Sequence, residues 1–420
     1  MFTKYNNALG SNFAALPGWP ATLAFTKIGM DSIPHDLDYS AVTPCPLVEV
    51  SGPPRERGRS YGEQARERIE RGIDHYSAQL QAGELSWSEI EAIIERFEPT
   101  IAAYDATFID EMRGIAEGAG VPYAAVVMLN ARTEILKLAE LRRNGRPIPD
   151  DPDGCTGLIV LPQATAAGRL LHAQNWDWKL ECARSCVVLK VQNDDGPDFL
   201  TFTEAGALAR SGLNAAGIAI TANYLECDRD YQRLGVPLAL IRRKVLKQRH
   251  LAPALQTVYA TPKSAANNIM VSHSHGVAIN FECASDEAFQ VLAQDGLIVH
   301  ANHWQSPVAL TKLRECGVQK TPDSLYRDLR VRQLIEPRLG QVTRDDVKAA
   351  LFDDFESPWS VCRPPRHSGN QNLSATVAMI VIEPALGHME VCVLPALNRN
   401  FTSYSLTMQV QPLRSAALLG

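Results

Sequence analysis

The hydrophobic pattern of the chain changes near residue 155. From about Arg55 to Leu141, apolar residues recur three and four positions apart, as in WSEIEAIIERFEPTIAAY and FIDEMRGIAEGAG. This spacing predicts amphipathic helices. Ser88 is the expected N-cap of the first of these segments, ahead of Glu89 and Glu91. The run RRNGRPIPDDPDG that follows is rich in Gly, Pro and Asp and predicts a loop.

Beyond residue 155, short segments of strand-forming residues are separated by turns. TGLIVLP and RLLHAQNWDW flank QATAAG, SCVVLKVQ and DFLTFT flank NDDGP, and RSGLNAAGIAITANY contains the turn NAAG. HGVAINFEC and EAFQVLAQDGLIVHANHW predict further strands, and ATVAMIVIEPA with HMEVCVLPAL predicts a last hairpin. Helices are expected at about 237–259, 324–339 and 344–351. Antiparallel strands with grouped helices favour sheets covered by helices over an alternating parallel fold.

Composition and charge exclude several classes of protein. The chain has 420 residues, of which 45% are hydrophobic and 21% charged, so it is long enough for one large domain or two ordinary ones. The net charge of -6 argues against a nucleic-acid partner. No run of about 18 apolar residues occurs in the sequence, so no membrane span is predicted. Pro17 and Pro20 interrupt the apolar N-terminal region, so no signal peptide is expected.

The cysteines indicate a compartment rather than a disulfide framework. Nine cysteines are scattered without regular spacing, which predicts free thiols in a reducing cytoplasm. Neither the pair Cys182 and Cys186 nor the pair His273 and His275 has a second ligand pair at zinc-site spacing. No metal and no other cofactor is therefore expected.

Cys155 stands where the predicted loop meets the first predicted strand, in DPDGCTGLIVLP. A thiol with a pKa of about 8.5 needs a nearby base to act as a nucleophile, and no histidine is close in sequence. An α-amino group has a pKa of about 7.7–8.0 and is a suitable base. It would lie on Cys155 itself if the bond after Gly154 were cut. Gly154 has no Cβ and leaves its carbonyl open to the thiol, so self-cleavage into chains of 154 and 266 residues is a hypothesis.

Several motifs, in their order and spacing, resemble those of the acyl-coenzyme A:isopenicillin N (6-aminopenicillanic acid) acyltransferase family of cysteine N-terminal-nucleophile hydrolases. They are RGRSYGEQ, RGIAEGAGVPYAAVVMLNARTEI, DGCTG, AQNWDW, TEAG with GLNAAGIAITAN, VHANH and SVCRP, and they extend from about Val48 onward. The resemblance implies an α+β fold, a four-layer αββα N-terminal-nucleophile hydrolase sandwich with a helical N-terminal segment. It also implies a mainly helical segment at 41–154 and a catalytic αββα unit at 155–420, which self-cleavage turns into the α and β chains.

The resemblance assigns roles to five residues. Cys155 is the nucleophile that self-cleavage releases, and Asp177 accepts a hydrogen bond from its new α-amino group. The amide of Asn302 donates to the oxyanion, a contribution of about 10²–10³ in rate. Arg363 orients the thiolate or a polar end of the substrate, and Asn223 resembles a second amide donor. Four of the five have a plainer alternative. Cys155 would be a small buried residue, Asp177 a turn cap, Asn302 a cap of strand-end backbone groups, and Arg363 a surface arginine or the partner of an aspartate at 353 or 354.

The predicted function is a self-cleaving cysteine amidohydrolase that acts on a small N-acyl amide through a Cys155 thioester. An N-acyltransferase that uses acyl-coenzyme A or amide donors stays open as an alternative. So does a Cys–His thiol hydrolase without self-cleavage, with His172, His300 or His303 as its base, and so does a non-enzymatic binding protein on the same fold. The expected partner is a small-molecule amide or acyl substrate, and homo-oligomerisation stays open. Residues 1–40, an extension outside the resemblance, would cover a sheet edge, a subunit interface or the pocket mouth.

Overall fold

The computed structural model describes residues 42–82, 85–142, 154–367 and 373–409. The N-terminal extension at 1–40 therefore lies outside the described residues. So do residues 143–153 of the predicted loop, whose first residue, Arg142, is described. The helices are α1 (Pro54–Ala82), α2 (Trp87–Glu95), α3 (Glu98–Ala119), α4 (Tyr123–Asn130), α5 (Arg132–Arg142), α6 (Leu238–Leu246), α7 (Leu251–Ala260), α8 (Pro307–Lys312), α9 (Ser324–Ile335) and α10 (Arg344–Leu351). The helices predicted before residue 155 and near 237–259, 324–339 and 344–351 are confirmed.

Fifteen strands are present in the described part of the chain. They are β1 (Leu47–Val50), β2 (Gly154–Val160), β3 (Leu171–Lys179), β4 (Cys186–Val191), β5 (Phe199–Glu204), β6 (Ser211–Asn214), β7 (Ile218–Tyr224), β8 (Asn267–His273), β9 (Val277–Cys283), β10 (Ala288–Val291), β11 (Leu297–His300), β12 (Arg366–His367), β13 (Leu373–Glu383), β14 (His388–Val393) and β15 (Thr402–Ser405). The sequence pattern did not predict β8, whose segment NNIMVSH has polar residues at both ends and only three apolar residues between them.

The strands form two sheets. One has the order β1-β4-β5-β6-β7-β8-β9-β10, and the other has the order β11-β2-β3-β13-β14-β15 with β12 paired to β13. Neighbouring strands are antiparallel except for β1 and β4. The hairpins predicted for β2–β3, β4–β5, β6–β7 and β13–β14 are confirmed. The antiparallel connections also confirm that the fold is not an alternating parallel one.

The two sheets face each other through a polar as well as an apolar interior. The ring nitrogens of His172 on β3 lie 2.9 Å from Ser272 Oγ and 2.8 Å from Thr221 Oγ1, both in the opposite sheet. Ile159 and Met270 pack in the same interlayer space. Because buried polar groups need partners, these cross-sheet hydrogen bonds fix how the sheets align.

Helices cover the outer face of each sheet. Residues of α9 and α10, among them Val331 and Leu351, pack against strands of the second sheet. On the first sheet, Tyr61 of α1 donates to the carbonyl of Ala207 just after β5, and the carbonyl of Leu246 at the end of α6 accepts from Asn214 of β6. The predicted four-layer αββα sandwich is confirmed.

The N-cap of α2 differs from the sequence prediction. Ser86, not Ser88, precedes the helix, and its hydroxyl accepts from the Glu89 N–H at 3.4 Å. The Glu89 side chain accepts from the Ser86 N–H at 2.9 Å, which completes a capping box. The prediction of Ser88 was wrong because Glu89 lies three residues beyond Ser86, the spacing that this reciprocal pair requires.

Helices α1 and α3 approach each other at four glycines, two on each helix. A Cβ added to Gly58 would lie 2.1 Å from the Glu111 carbonyl oxygen, and one added to Gly118 would lie 2.0 Å from that of Arg59. Both distances are far below van der Waals contact, so the two backbones touch. Glu111 of α3 lies between two buried guanidinium groups. Its Oε2 is 2.6 Å from Arg57 Nη2 and 2.8 Å from Arg243 Nη2.

The glycine contact can be tested by a pair of matched substitutions. Gly118→Ala should lower the free energy of unfolding by about 1–3 kcal/mol or more, because the added methyl group meets rigid backbone. Gly72→Ala in α1 is the control, since its Cβ would meet side-chain atoms rather than backbone, with Leu129 Cδ2 at 3.3 Å and Ser185 Cβ at 3.9 Å. Alanine also favours the helix by up to about 1 kcal/mol. Urea unfolding of both variants measures the difference, and equal stability of the two would contradict the contact.

Candidate functional site

Cys155 is held by its backbone on the second sheet. It lies on β2 opposite Trp176 of β3, and its side chain is buried. Its N–H donates to Asn302 Oδ1 at 2.9 Å, and its carbonyl accepts from Arg327 Nη1 at 2.8 Å. Side chains of directly opposed strand residues lie on one face, so the thiol and Trp176 share the face that looks toward the first sheet.

Gly154 fits a place that has no room for a side chain. It lies opposite Asp177 in the β2–β3 register. A Cβ here would lie 2.8 Å from Asp177 Oδ2 and 2.9 Å from Arg363 Nη1. The backbone just before Cys155 therefore lies against a carboxylate and a guanidinium, which is a geometric reason for glycine at this position.

The Asp177 carboxylate is buried and oriented from one side. Its Oδ1 accepts from the hydroxyl of Thr376 at 2.7 Å, and Oδ2 lies 3.3 Å from Arg363 Nε. Thr376 Oγ1 in turn accepts from the Arg363 main-chain N–H at 2.7 Å. Oδ2 receives no hydrogen bond from the described residues, so the oxygen nearest Gly154 keeps its capacity to accept one.

Asn302 lies just after the end of β11, and its side-chain oxygen faces Cys155. Asn302 Oδ1 accepts from the Cys155 N–H and also from Arg327 Nη2 at 2.8 Å. Its Nδ2 donates to the carbonyl of Tyr224 at 2.9 Å, and its main-chain N–H donates to Ser324 Oγ at 2.7 Å. Two donors on one side and an acceptor on the other fix the amide orientation.

Asn223 has different contacts from those that its predicted role requires. Its Nδ2 donates to the carbonyls of His300 and Ala301 at 2.7 and 2.9 Å, and its Oδ1 accepts from Gln174 at 2.8 Å. Both amide hydrogens are thus engaged with backbone. In this arrangement Asn223 holds the segment that leads into Asn302 and offers no hydrogen to an oxyanion.

Two charged residues that the sequence analysis did not select complete the site. Arg327 is fully buried, and its Nε donates to Asp323 Oδ2 at 2.8 Å. The same carboxylate oxygen accepts from Arg363 Nη2. Burial raises the pKa of Asp323, but the guanidiniums of Arg327 and Arg363 outweigh it and hold that pKa below its ordinary value. The available signal was the four-residue spacing of Asp323 and Arg327 on one helical turn.

Arg363 lies between two carboxylates, which are those of Asp177 and Asp323. It does not lie at the surface, and Asp353, one of the partners considered from the sequence, pairs with Arg330 instead, at 2.7 Å. Arg327, Asp323, Arg363 and Asp177 therefore form a line of alternating charges that ends beside Gly154.

His172 is too far along its strand to act on Cys155. It is opposite Ile159, four residues beyond Cys155 on β2, which corresponds to about 13 Å at the usual rise of a strand. Both of its ring nitrogens contact hydroxyl groups of the opposite sheet. Burial lowers its pKa to about 3.

The other two histidines lie near Asn302 but contact other groups. The ring nitrogens of His300 lie 2.8 Å from Glu282 Oε1 and 2.9 Å from the carbonyl of Ala301. His303 Nδ1 lies 2.8 Å from Ser324 Oγ, and burial, with the charges of neighbouring His and Arg side chains, lowers its pKa to about 4. Roles in the core or at its rim fit these contacts better than general-base catalysis.

The tryptophans of the NWDW motif pack beneath a basic cluster. The guanidinium of Arg210 lies 3.8 Å from the centre of the Trp176 ring. The indole N–H of Trp178 donates to Tyr76 at 2.9 Å, and Arg132 lies 4.7 Å from its ring centre. Arginine over tryptophan is favourable when both are desolvated.

The described part of the chain has no cluster of three or more His, Cys, Asp or Glu side chains that could hold a metal ion. None of its helices combines the length and the apolar character of a membrane span. The nine cysteines all lie in this part, and no disulfide joins them.

Comparisons with known proteins point to one family. The model of the family described as acyl-coenzyme A:6-aminopenicillanic acid acyl-transferase matches residues 164–395, more than half of the chain. The match includes Asp177, Asn223, Asn302 and Arg363, and it begins after Cys155.

Individual relatives are more distant. The chain is 28% identical over 324 residues to the acyl-coenzyme A:6-aminopenicillanic-acid-acyltransferase 40 kDa form of Emericella nidulans, which covers 75% of this chain and 84% of that protein. It is 25% identical over 167 residues to protein dcd1B of Dictyostelium discoideum, which covers 38% of this chain and 30% of that protein.

Among solved structures, the Caenorhabditis elegans N-acylethanolamine-hydrolyzing acid amidase ortholog is 13% identical with a TM-score of 0.42, and covers 60% of this chain and 100% of that one. Penicillin V acylase from Agrobacterium tumefaciens is 15% identical with a TM-score of 0.38, and covers 60% and 86%. The family assignment rests on the family model. It confirms the predicted resemblance and the prediction of an enzyme of acyl transfer or amide hydrolysis. The chain belongs to the acyl-coenzyme A:6-aminopenicillanic acid acyl-transferase family.

Proposed function

We propose that the chain is a precursor that cuts itself between Gly154 and Cys155 and then hydrolyses a small N-acyl amide through a thioester on Cys155. The observation that carries the proposal is the surroundings of this one bond. The Cys155 N–H is bound by Asn302 Oδ1 at 2.9 Å, and Gly154 lies against the Asp177 carboxylate and the Arg363 guanidinium. These groups surround the bond whose cleavage the sequence predicts.

The self-cleavage begins with attack of the Cys155 sulfur on the Gly154 carbonyl carbon. The C–N bond breaks, the thiol proton passes to the nitrogen, and a thioester joins Gly154 to Cys155. Water then hydrolyses this thioester, which leaves a carboxylate on Gly154 and a thiol and an amino group on Cys155. Since Gly154 has no side chain of its own, it adds no steric obstacle to attack on its carbonyl carbon.

In turnover, the new α-amino group acts as the base. It takes the thiol proton as the Cys155 sulfur attacks the substrate amide carbonyl, and it returns the proton to the leaving amine. Water then hydrolyses the acyl thioester. An α-ammonium has three hydrogens. Asn302 Oδ1 would accept one in the same contact that it makes in the uncut chain. Asp177 Oδ2, which lies against Gly154, is the proposed second acceptor.

For the oxyanion, the contacts favour Asn302 over Asn223. In the described residues only one hydrogen of the Asn302 amide is engaged, by the carbonyl of Tyr224. The Asn223 amide uses both of its hydrogens on backbone carbonyls. Asn223 would therefore act by positioning, and Asn302 is the donor that the proposal retains.

Acyl transfer to an amine, from acyl-coenzyme A or an amide, stays the second candidate function, because the family and the relative from Emericella nidulans are named for that activity. It uses the same thioester. Hydrolysis is preferred because water is always present, whereas transfer needs a site that excludes water. A Cys–His hydrolase is disfavoured by the contacts of the three histidines.

The compartment that we propose is the cytoplasm, because the nine cysteines form no disulfides.

The first prediction concerns the covalent state of the protein. Intact mass should show chains of about 17 and 29 kDa, in proportion to their lengths within 46.1 kDa, and the larger should begin with Cys-Thr-Gly. Cys155→Ala should leave one chain and abolish turnover. Cys316→Ala changes a partly exposed cysteine that bonds to the carbonyls of residues 226 and 314 and not to Cys155, and it should leave both processes unchanged. Full turnover by an uncut chain would refute the proposal.

The second prediction concerns the Asp177 carboxylate. Asp177→Asn should lower kcat by about 10²–10⁴, because an amide is a weaker acceptor for an ammonium group. Rates are compared per mole of cut chain, counted by intact mass, so that slow maturation is not taken for slow turnover. Asp353→Asn is the matched control, since Asp353 is also a buried, arginine-paired carboxylate. Its kcat should be unchanged, and a normal kcat in Asp177→Asn would remove Asp177 from the site.

The third prediction concerns the pH dependence of stability. Because the folded-state pKa of Asp323 is lowered, its ionised form stabilises the fold at pH values above its unfolded pKa of about 3.9. This stabilisation is lost as the pH falls through the lower folded-state value. Asp323→Asn should therefore cost about 3–5 kcal/mol at pH 7, and the cost should be up to about 1 kcal/mol smaller at pH 3, which lies about one pH unit below the unfolded pKa.

Urea unfolding at both pH values, with Cys155→Ala in each protein to keep one chain, measures this difference. Asp345→Asn, which removes an exposed carboxylate, should show little effect at either pH. A cost for Asp323→Asn that is the same at pH 3 and pH 7 would contradict the electrostatic account.

A further inference from the structure

A row of three residues crosses the second sheet beside the bond before Cys155. Asp177 of β3 lies opposite Gly154 of β2 on one side and opposite Thr376 of β13 on the other. Directly opposed side chains share a face of a sheet, and successive residues of a strand alternate between faces. The Asp177 and Thr376 side chains therefore lie on the face opposite to the Cys155 thiol, and the carboxylate approaches the bond from that face.

The hydrogen bonds of the Thr376 hydroxyl have a fixed direction. Its Oγ1 accepts from the Arg363 main-chain N–H at 2.7 Å, and its only hydrogen is donated to Asp177 Oδ1, also at 2.7 Å. The main-chain N–H of Thr376 donates back to the Arg363 carbonyl at 3.0 Å, so the two residues hold each other. Thr376 is fully buried. The hydroxyl is therefore a fixed donor to the carboxylate.

A β-bulge and the shape of threonine restrict the place of this hydroxyl. The register of β13 against β3 shifts after Thr376, because Ala378, and not Val377, lies opposite Trp176. Bulges are frequent next to active sites, where they change the direction of a side chain. Threonine is also β-branched, so rotation about its χ1 is restricted. Both features limit the movement of the hydroxyl that the carboxylate contacts.

The hydrogen bond on Oδ1 determines how the other carboxylate oxygen is presented. The carboxylate is planar, so a donor held at Oδ1 limits the rotation of the whole group. Oδ2 then stays at the place where a Cβ on Gly154 would meet it, at 2.8 Å, and it receives no hydrogen bond from the described residues. In the proposed function, this oxygen accepts from the α-amino group of Cys155.

We propose that Thr376 is a positioning residue of the reaction, which holds the Asp177 carboxylate so that Oδ2 faces the α-amino group of Cys155. The inference rests on the proposed function and adds to it a residue that acts through Asp177. The Thr376 hydroxyl exchanges no proton with the substrate. It keeps an acceptor in place before the reaction begins, and such preorganisation by supporting hydrogen bonds is what gives polar groups their effect in catalysis.

The experiment separates the hydroxyl from the shape of the side chain. Thr376→Val keeps the branched shape and removes the hydroxyl, whereas Thr376→Ser keeps the hydroxyl. The probes are the p-nitrophenyl esters of acetic, hexanoic and benzoic acids, and the ester that acylates wild-type Cys155 fastest is used for every variant. Acylation is followed by intact mass in a single turnover, and rates are expressed per mole of cut chain.

Thr376→Val should lower the rate constant of acylation at saturating ester by about 10- to 100-fold, as expected for the loss of a hydrogen bond to a charged group. The half-saturating ester concentration should change by less than about twofold, since the lost interaction does not bind the ester. Thr376→Ser should restore the rate constant to within about fivefold of wild type, because the donor is kept. A wild-type rate constant in Thr376→Val would overturn the proposal.

Thr165→Val is the matched control. The Thr165 hydroxyl also accepts from a main-chain N–H, that of Arg169 at 3.1 Å, and donates to a main-chain carbonyl, that of Arg169 at 2.9 Å. It lies in the turn between β2 and β3, at the end of this hairpin away from Cys155. Its removal should leave the acylation rate unchanged.

A second measurement separates positioning from general support of the fold. In protein that already carries Asp177→Asn, Thr376→Val should lower the rate constant by less than about threefold, because the group that Thr376 positions has lost its charge. An equal loss in both backgrounds would show that Thr376 acts independently of Asp177, and the proposal would be wrong. If the valine variant does not fold, Thr376→Ala is compared with Thr376→Ser, since these differ by the hydroxyl alone, and equal rates would refute it in the same way.

Failure of the proposed function gives a different result. If the chain does not cut itself, the wild-type protein keeps its full mass and Cys155 has no α-amino group. If it is cut but does not transfer acyl groups, none of the three esters acylates Cys155 faster than it acylates the same protein unfolded in urea. If only the Thr376 assignment fails, the wild-type protein is cut and acylated, and Thr376→Val reacts at the same rate.

Discussion

The structure depends on one buried guanidinium. Arg327 donates to the Cys155 carbonyl and to Asn302 Oδ1, each at 2.8 Å, and is itself held by Asp323. A buried positive charge is stable only when it is paired and fully hydrogen-bonded. Burial lowers the pKa of Arg327, as does the nearby Arg363, and Asp323 opposes both. The Arg327 guanidinium therefore joins strand β2, the segment after β11 and helix α9. Separating these elements would leave its buried charge without its partners.

The alternating order of charges explains how so many ionised groups share one interior. Arg327, Asp323, Arg363 and Asp177 follow one another, so that each charge has neighbours of opposite sign and the sum is zero. Such a line resists rearrangement, because moving either inner member, Asp323 or Arg363, would leave two others without that partner. Its last member lies beside Gly154. The contacts of α9 therefore extend to the bond that we propose is cut, where a displacement of about 1 Å would matter for catalysis.

The sequence predicted the parts of this arrangement that lie on regular elements or in quoted motifs. Runs of strand-forming residues on either side of a turn predicted β2 and β3, and the NWDW motif includes Asp177, which the structure places on β3 opposite Gly154. Asp323 and Arg327 escaped prediction because a helical residue reveals its partners only when packing fixes which face turns inward. Ser86 was missed by two residues for a local reason, the three-residue spacing of the capping box. The strand β8 was missed because its polar residues are satisfied by the neighbouring strand β9, as where Asn268 donates to Phe281, and pairing of that kind is invisible in one-dimensional patterns.

The uncut geometry already contains the contacts that the cut enzyme would use. Asn302 Oδ1 accepts the single hydrogen of a peptide N–H in the structure, and the same oxygen would accept one of three hydrogens after cleavage. Since Arg327 holds this oxygen in place before any cleavage, the proposed maturation would need little reorganisation of these contacts, and preorganised polar groups are those that contribute most to catalysis. Cleavage would add a base on Cys155 and would free Asp177 from the peptide that precedes that residue.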